Sequence, residues 1–211
     1  MDKFITNSKT SQDRIKKYYR RNSAIIYPSI EEEKFYVSDK QEDYFLAGSR
    51  LVPYKRIDIV VEAFKKTDKK LKIFGDGLDL NRLKGIAGDS KNIEFLGRVS
   101  DEKKAELYSK CQAYINPQVE DFGITIVEAM ASGRPVIALG KGGATETIIE
   151  GKTGEFFAEE KLESVLKAIN SFDPSRYNPR EIREHAMKFS KQNFIKSIRD
   201  FIDKEMPQSK N

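Results

Sequence analysis

Glu120 and Glu128 bracket the run Glu120-Asp121-Phe122-Gly123-Ile124-Thr125-Ile126-Val127-Glu128, with Gly123 where a loop turns into a helix. Amide groups at a helix start have no partner within the helix and favour a negative phosphate. Glu128 comes about one turn later, roughly 6 Å along the axis. A carboxylate there can accept hydrogen bonds from ribose hydroxyls while the amides hold the phosphate. Glu120, still in the loop, can reach a sugar. Two surface glutamates beside a helix cap would show the same spacing, so the run leaves both readings open. Arg50 and Lys55 lie in Gly48-Ser49-Arg50-Leu51-Val52-Pro53-Tyr54-Lys55. Two cations beside a helix start can neutralise a diphosphate, arginine in bidentate fashion. Solvated surface charge is the plain alternative.

Other signatures stop short. Gly75-Asp76-Gly77 is half of a dinucleotide fingerprint, with no third glycine at the required place. Gly140-Lys141-Gly142-Gly143 lacks the Gly-Lys-Ser/Thr end of a phosphate-binding loop and reads as a tight turn. One histidine, His185, and one cysteine, Cys111, exclude a disulfide framework and make a Cys/His zinc site implausible. Cys111 reads as a small buried hydrophobe, and His185 as a capping or surface group. Metal binding would rest on carboxylates alone, and the chain has no Asp-rich cluster.

These residues need a scaffold. Short apolar runs at Tyr44–Ala47, Leu71–Phe74, Ile93–Leu96, Ala113–Ile115, Pro135–Leu139 and Glu155–Phe157 read as strands. Helix-period segments separate them: Ile57–Phe64, Leu78–Ile86, Asp101–Tyr108, Gly123–Ala131 and, after the last strand, 160–169. Strands alternating with helices predict an α/β domain with a doubly wound parallel sheet. Such sheets bind ligands outside the carboxyl ends of their strands, which is where Arg50, Lys55 and Glu120 fall. The ends differ. Residues 1–35 carry a short helix around Gln12–Tyr19 and an extended Ile25-Ile26-Tyr27-Pro28. Residues 178–205 predict one long amphipathic helix, with Ile182, Phe189, Phe194, Ile198 and Phe201 on a stripe.

The 211 residues, 38% hydrophobic against 34% charged, can bury a core and are too patterned for a disordered tail. No run approaches the roughly 18 apolar residues of a membrane span, and no signal-peptide pattern opens the chain. The charge of +5 is spread along most of the sequence, as on solvated helix faces. Lys16, Lys17, Arg20 and Arg21, interleaved with Tyr18 and Tyr19, form the densest basic stretch. Plain solvated surface is the first reading of that stretch, with an anionic lipid surface next and nucleic acid, for which no motif is present, last.

In chain order these stretches resemble the retaining glycosyltransferases of family 4, which have the GT-B fold. The matching pieces are Gly48-x-Arg50-Leu51-x-x-x-Lys55-Arg56-x-Asp58, Gly75-Asp76-Gly77, and Phe95-Leu96-Gly97-Arg98-Val99-Ser100-Asp101. The two-glutamate run follows, continuing as Ala129-Met130-Ala131-Ser132-Gly133-Arg134-Pro135-Val136, then Gly142-Gly143-Ala144-Thr145-Glu146-Thr147 and Gly151-x-Thr153-Gly154. The resemblance implies a Rossmann-like sheet, the C-terminal half of a GT-B enzyme, that binds a sugar nucleotide. Glu120, Arg50 and Lys55 would be catalytic, the cations on the diphosphate and Glu120 on the transferred sugar. Gly48, Phe122, Gly123, Ile124, Thr125 and Glu128 would line the donor, with Glu128 on the ribose and the amides on the phosphate. Val99 would frame the base, with Asp101 and Lys104 as base contacts. No cofactor and no obligatory metal are expected. The form Glu-Asp-Phe-Gly-Ile-Thr followed by Gly-Lys-Gly-Gly-Ala-Thr-Glu-Thr looks most like mannosyltransferases of bacterial surface polysaccharides, lipopolysaccharide among them, which implies GDP-mannose as donor. Ile126 and Met130 depart from that branch, where proline and glutamine are common, and a UDP-sugar donor or a non-catalytic nucleotide-binding module are the alternatives. The resemblance divides the chain into 1–35, a crossover from an N-terminal domain not included here; 36–177, the donor domain; and 178–211, a crossover helix and tail. It implies a lipid-linked or glycan acceptor. The place would be the cytoplasm, at the inner face of the cell membrane. The fragment alone is expected to bind donor without transferring sugar.

Overall fold

Strands followed by helices can pair only in parallel, because each helix carries the chain back to the starting edge. The computed structural model describes residues 3–205. The chain opens with β1 (Ile5–Thr6), α1 (Lys9–Tyr19) and β2 (Ala24–Ile25), and the two strands pair in parallel. The main unit runs β3 (Phe45–Gly48), α2 (Ile57–Phe64), β4 (Leu71–Phe74), α3 (Leu80–Ala87), β5 (Ile93–Gly97) and α4 (Asp101–Lys110). It continues through β6 (Tyr114–Asn116), α5 (Ile124–Ala131), β7 (Val136–Leu139), α6 (Ala144–Thr147), β8 (Gly154–Phe157) and α7 (Leu162–Ser171). Last come α8 (Pro179–Ala186) and α9 (Lys191–Glu205).

The six main strands form one parallel sheet in the order β5-β4-β3-β6-β7-β8. Each strand sits on its apolar run, and the expected ends are displaced by at most one residue. The strand order reverses between β3 and β6, so the loops after these two strands diverge to opposite faces and leave a crevice. α2 packs against α3 and α7, whereas α5 packs against α4, α6 and α8. With both faces covered, Leu46, Ile115 and Ile137 are fully buried. Such side chains contribute about 1.5–3 kcal/mol each by leaving water. Edge-to-face rings brace the centre, as in Tyr108 against Tyr114 at 5.3 Å.

The single helix expected over 178–205 is instead two helices. Asn178 caps α8, and a 3-10 turn at Met187–Phe189 ends it. Ser190 is extended, and beside it the Ile30 amide donates to the Phe189 carbonyl at 3.0 Å. A residue bonded sideways to another segment cannot continue a helix. Ser190 then restarts one by accepting from the Asn193 amide at 3.3 Å. The stripe divides accordingly: Ile182 and Phe189 are buried, while Phe194, Ile198 and Phe201 on α9 are half-buried. The tail of the 178–211 segment beyond Glu205 lies outside the described residues. Among the described residues no helix is long and apolar enough to cross a membrane.

Candidate active site

β3 ends at Gly48, whose carbonyl accepts from the Tyr114 hydroxyl of β6 at 2.7 Å. This bond ties together the two strands that flank the crevice. The loop after β3 turns at Pro53–Lys55 and sends the Lys55 side chain across to Glu120, on the loop after β6. The Lys55 ammonium contacts Glu120 Oε1, and both side chains are largely buried, 15% and 24% exposed. Arg50 diverges from Lys55: it is exposed, and its guanidinium donates to the Tyr54 hydroxyl at 3.0 Å. Of the two expected cations, Lys55 alone meets Glu120.

The Glu120 loop is held from the far side by the glycines after β7. The Gly143 amide donates to the Glu120 carbonyl at 2.8 Å. A Cβ at Gly143 would lie 2.3 Å from the Phe122 carbonyl oxygen, so a larger residue would drive the loops apart. Gly140-Lys141-Gly142-Gly143 therefore shapes the site without being a phosphate loop. Gly75-Asp76-Gly77 also acts through the scaffold, where the Asp76 carbonyl accepts from the Leu51 amide at 2.8 Å.

α5 begins at Gly123, whose φ of 87° is a left-handed conformation that favours glycine. The amides of Ile124 and Thr125 form its first turn. Two hollows meet there, both lined by Ser29 and Ile124. The smaller, about 160 Å³, is walled by Lys34, Phe35, Asp101, Lys104 and Glu128. The larger cleft, about 590 Å³, is walled by Asn7, Pro28, Glu120, Asp121 and Gly123. The helix start thus stands between a hollow holding one glutamate and a cleft holding the other. In the smaller hollow Lys104 contacts Glu128 Oε1 at 3.0 Å, and the Tyr108 hydroxyl donates to Oε2 at 3.4 Å. Burial nonetheless raises the Glu128 pKa above the ordinary 4.5, against the pull of Lys104. Asp101 pairs with Lys34 at 3.1 Å, which lowers its pKa.

Two of the expected donor residues also pack in or against the core. Phe122 lines the larger cleft, and its ring packs between Tyr27 and Phe189, at 5.7 and 5.4 Å. Val99 packs half-buried against the core. His185 stands apart, its Nε2 bonded to the Thr147 carbonyl at 2.8 Å. Cys111 is buried, and burial pushes its thiol up to about 12. No group of three or more His, Cys, Asp or Glu is disposed to hold a metal ion among the described residues.

A cation, two carboxylates and a helix start at the switch point of a parallel sheet form a surface that can hold a phosphorylated sugar. The family model described as "Glycosyl transferases group 1" matches residues 31–193. The chain belongs to this family.

The chain is similar to longer, known glycosyltransferases. The chain is 29% identical over 206 residues to an uncharacterized glycosyltransferase of Methanocaldococcus jannaschii, covering 94% of this chain and 58% of that protein. It is 30% identical over 146 residues to the GDP-mannose-dependent alpha-(1-6)-phosphatidylinositol monomannoside mannosyltransferase of Mycolicibacterium smegmatis, covering 61% and 38%. The chain therefore spans little more than half of the first and less of the second. Among solved structures, HepE of Anabaena in complex with UDP-glucose shares the fold with a TM-score of 0.83 at 21% identity, over 96% of this chain and 64% of that one.

Three side chains of this glycosyltransferase domain escape the sequence reading. Gln118, buried in the loop after β6, donates to Glu120 Oε1 at 2.8 Å. Glu146 accepts from the Lys9 and Thr10 amides at 2.7 and 3.1 Å, at the start of α1. Arg14 on α1 pairs with Asp121 at 2.5 Å. The partners of Glu146 and Arg14 are too distant in sequence for spacing to show, whereas Gln118 stands within two residues of Glu120.

Proposed function

We propose that this chain is the donor-binding domain of a retaining, family 4 glycosyltransferase. It transfers a hexose, mannose from GDP-mannose, to a lipid-linked or polysaccharide acceptor. The observation that carries the reading is the placement of Glu128 and Glu120 in two hollows joined at the start of α5. A nucleotide sugar has its ribose and its sugar on opposite sides of a diphosphate, and this site presents its groups in the same order. Glu128 accepts from ribose hydroxyls, with Lys104 and Asp101 toward the base. The diphosphate lies against the α5 amides, Lys55 and Arg50, and Glu120 receives a hydroxyl of the transferred sugar.

In the reaction the bond from the sugar's anomeric carbon to the diphosphate oxygen breaks, and the acceptor oxygen bonds to that carbon. The nucleoside diphosphate departs with the bonding electrons, and the acceptor's proton passes to its oxygen. Negative charge grows on the leaving phosphate, where Lys55, Arg50 and the helix start stabilise it without an obligatory metal. An N-terminal GT-B domain would supply the acceptor site. A lipid-linked acceptor would bring the enzyme to the cytoplasmic face of the membrane as a peripheral protein. The mycobacterial relative, named for GDP-mannose, supports this donor.

The HepE complex with UDP-glucose favours a second reading, a UDP-sugar donor. Calorimetric titration of the 211-residue chain with GDP, UDP, ADP and their sugar conjugates separates the two. The expected result is micromolar GDP binding, with GDP-mannose preferred over GDP-glucose. A UDP preference would replace mannose, and no binding to any nucleotide would count against the whole assignment.

A further inference from the structure

We infer that Gln118 is a positioning residue that orients the Glu120 carboxylate toward the transferred sugar. The inference rests on the proposed role of Glu120. Gln118 is only 2% exposed, and its Nε2 donates to Glu120 Oε1 at 2.8 Å, the same oxygen that Lys55 contacts. An ionised carboxylate only accepts, so the nitrogen of the amide, not its oxygen, must face Glu120.

That orientation has a consequence. The Gln118 Oε1 is turned into the interior, where it is buried with no hydrogen-bond partner among the described residues. An unpaired buried carbonyl destabilises the fold, and methionine, of similar length, would carry no such penalty. The amide's return is therefore its bond to Glu120. Asn116, fully buried at the end of β6, donates to the Gln118 carbonyl at 3.3 Å and holds the main chain from which this side chain springs.

The terminal torsion of a glutamate is broad and nearly two-fold, so a single cation leaves a carboxylate free to swing. Two donors on one oxygen, Lys55 from the loop after β3 and Gln118 from the loop after β6, restrict that swing. They leave Oε2 as the acceptor for a ligand hydroxyl, and the contacts of this carboxylate among the described residues all fall on Oε1. Gln118 thereby acts on the sugar and not on the nucleotide.

The test is Gln118→Met in the 211-residue chain, titrated with GDP and GDP-mannose, and with UDP and UDP-glucose. The diphosphate affinity is expected to stay within about twofold, while the advantage of the sugar nucleotide over its diphosphate falls about tenfold. Tm is expected to hold or rise, because the unpaired carbonyl is gone. An intact sugar advantage overturns the inference. So does an equal loss for both ligands with a lower Tm, which would make Gln118 a packing residue. Wild-type chain that binds no nucleotide sinks the donor-site reading, and this inference with it. When nucleotide binds, crystal structures of wild type and variant add a ligand-free arm. A carboxylate plane at Glu120 turned or split in the variant supports positioning, and an unchanged plane overturns it while leaving the donor-site reading intact.

Discussion

At the scale of single residues, the site sets charge against burial. The fold raises the Glu128 pKa, so its protonated form is the one the interior favours. Stability from this group is present at low pH and is lost as pH rises through the raised pKa. A ribose needs the ionised form and opposes that trend. Guanosine affinity should therefore weaken on acidification from a higher pH than an ordinary glutamate would give. Glu128→Gln should bind more weakly and show no such step, which titration at several pH values checks. Glu128→Ala should lose roughly 1–3 kcal/mol of nucleoside affinity, as expected when a charged hydrogen bond goes. Lys55→Ala should instead weaken GDP binding far more than guanosine binding. Equal losses for the two ligands would remove Lys55 from the diphosphate.

At the scale of elements, α1 is the least self-sufficient piece beside the site. It buries no residue and depends on its ends: Ser8 caps it, Glu146 accepts from its first amides, and Arg14 ties it to Asp121. An acceptor at a helix start is worth about 0.5–2 kcal/mol, a large share for a helix with no fully buried residue. Glu146→Ala should therefore speed amide hydrogen exchange along α1 while the exchange of β3 and β6 stays slow. Equal protection in the variant would show that α1 is held by other contacts. The residues of α5 behave differently. Its apolar side chains Ile126, Val127, Ala129 and Met130 are fully buried, so the helix carrying Glu128 is anchored by packing.

At the scale of the whole molecule, the site depends on β3 and β6 lying side by side at the centre of the sheet. Ile115 on β6 is fully buried in that centre. Ile115→Ala should cost about 2–5 kcal/mol, read as a lower denaturant midpoint at unchanged slope. Nucleotide affinity measured well below the midpoint should hold, because the loops that bind are spared. A large affinity loss without a stability loss would mean that the strand sets the loops directly.

What the amino-acid sequence determined by itself is local. Apolar runs of strand length and 3.6-residue periods place each element, because side-chain burial follows those periods wherever a core exists. The Glu120–Glu128 spacing around a helix start is local too, since one loop and one helix set it. The meeting of Lys55 with Glu120 is of another kind: 65 residues separate them, and the chain returns only because the sheet reverses its order between β3 and β6. The same holds for Glu146, which reaches α1 across 137 residues. The break at Ser190 shows the limit from the other side. The apolar period runs on through it, and a hydrogen bond to the main chain of distant Ile30 ends the helix. Tertiary structure decided these features because hydrogen bonds and ion pairs depend on distance in space, which spacing along a chain reports only within a turn or a strand.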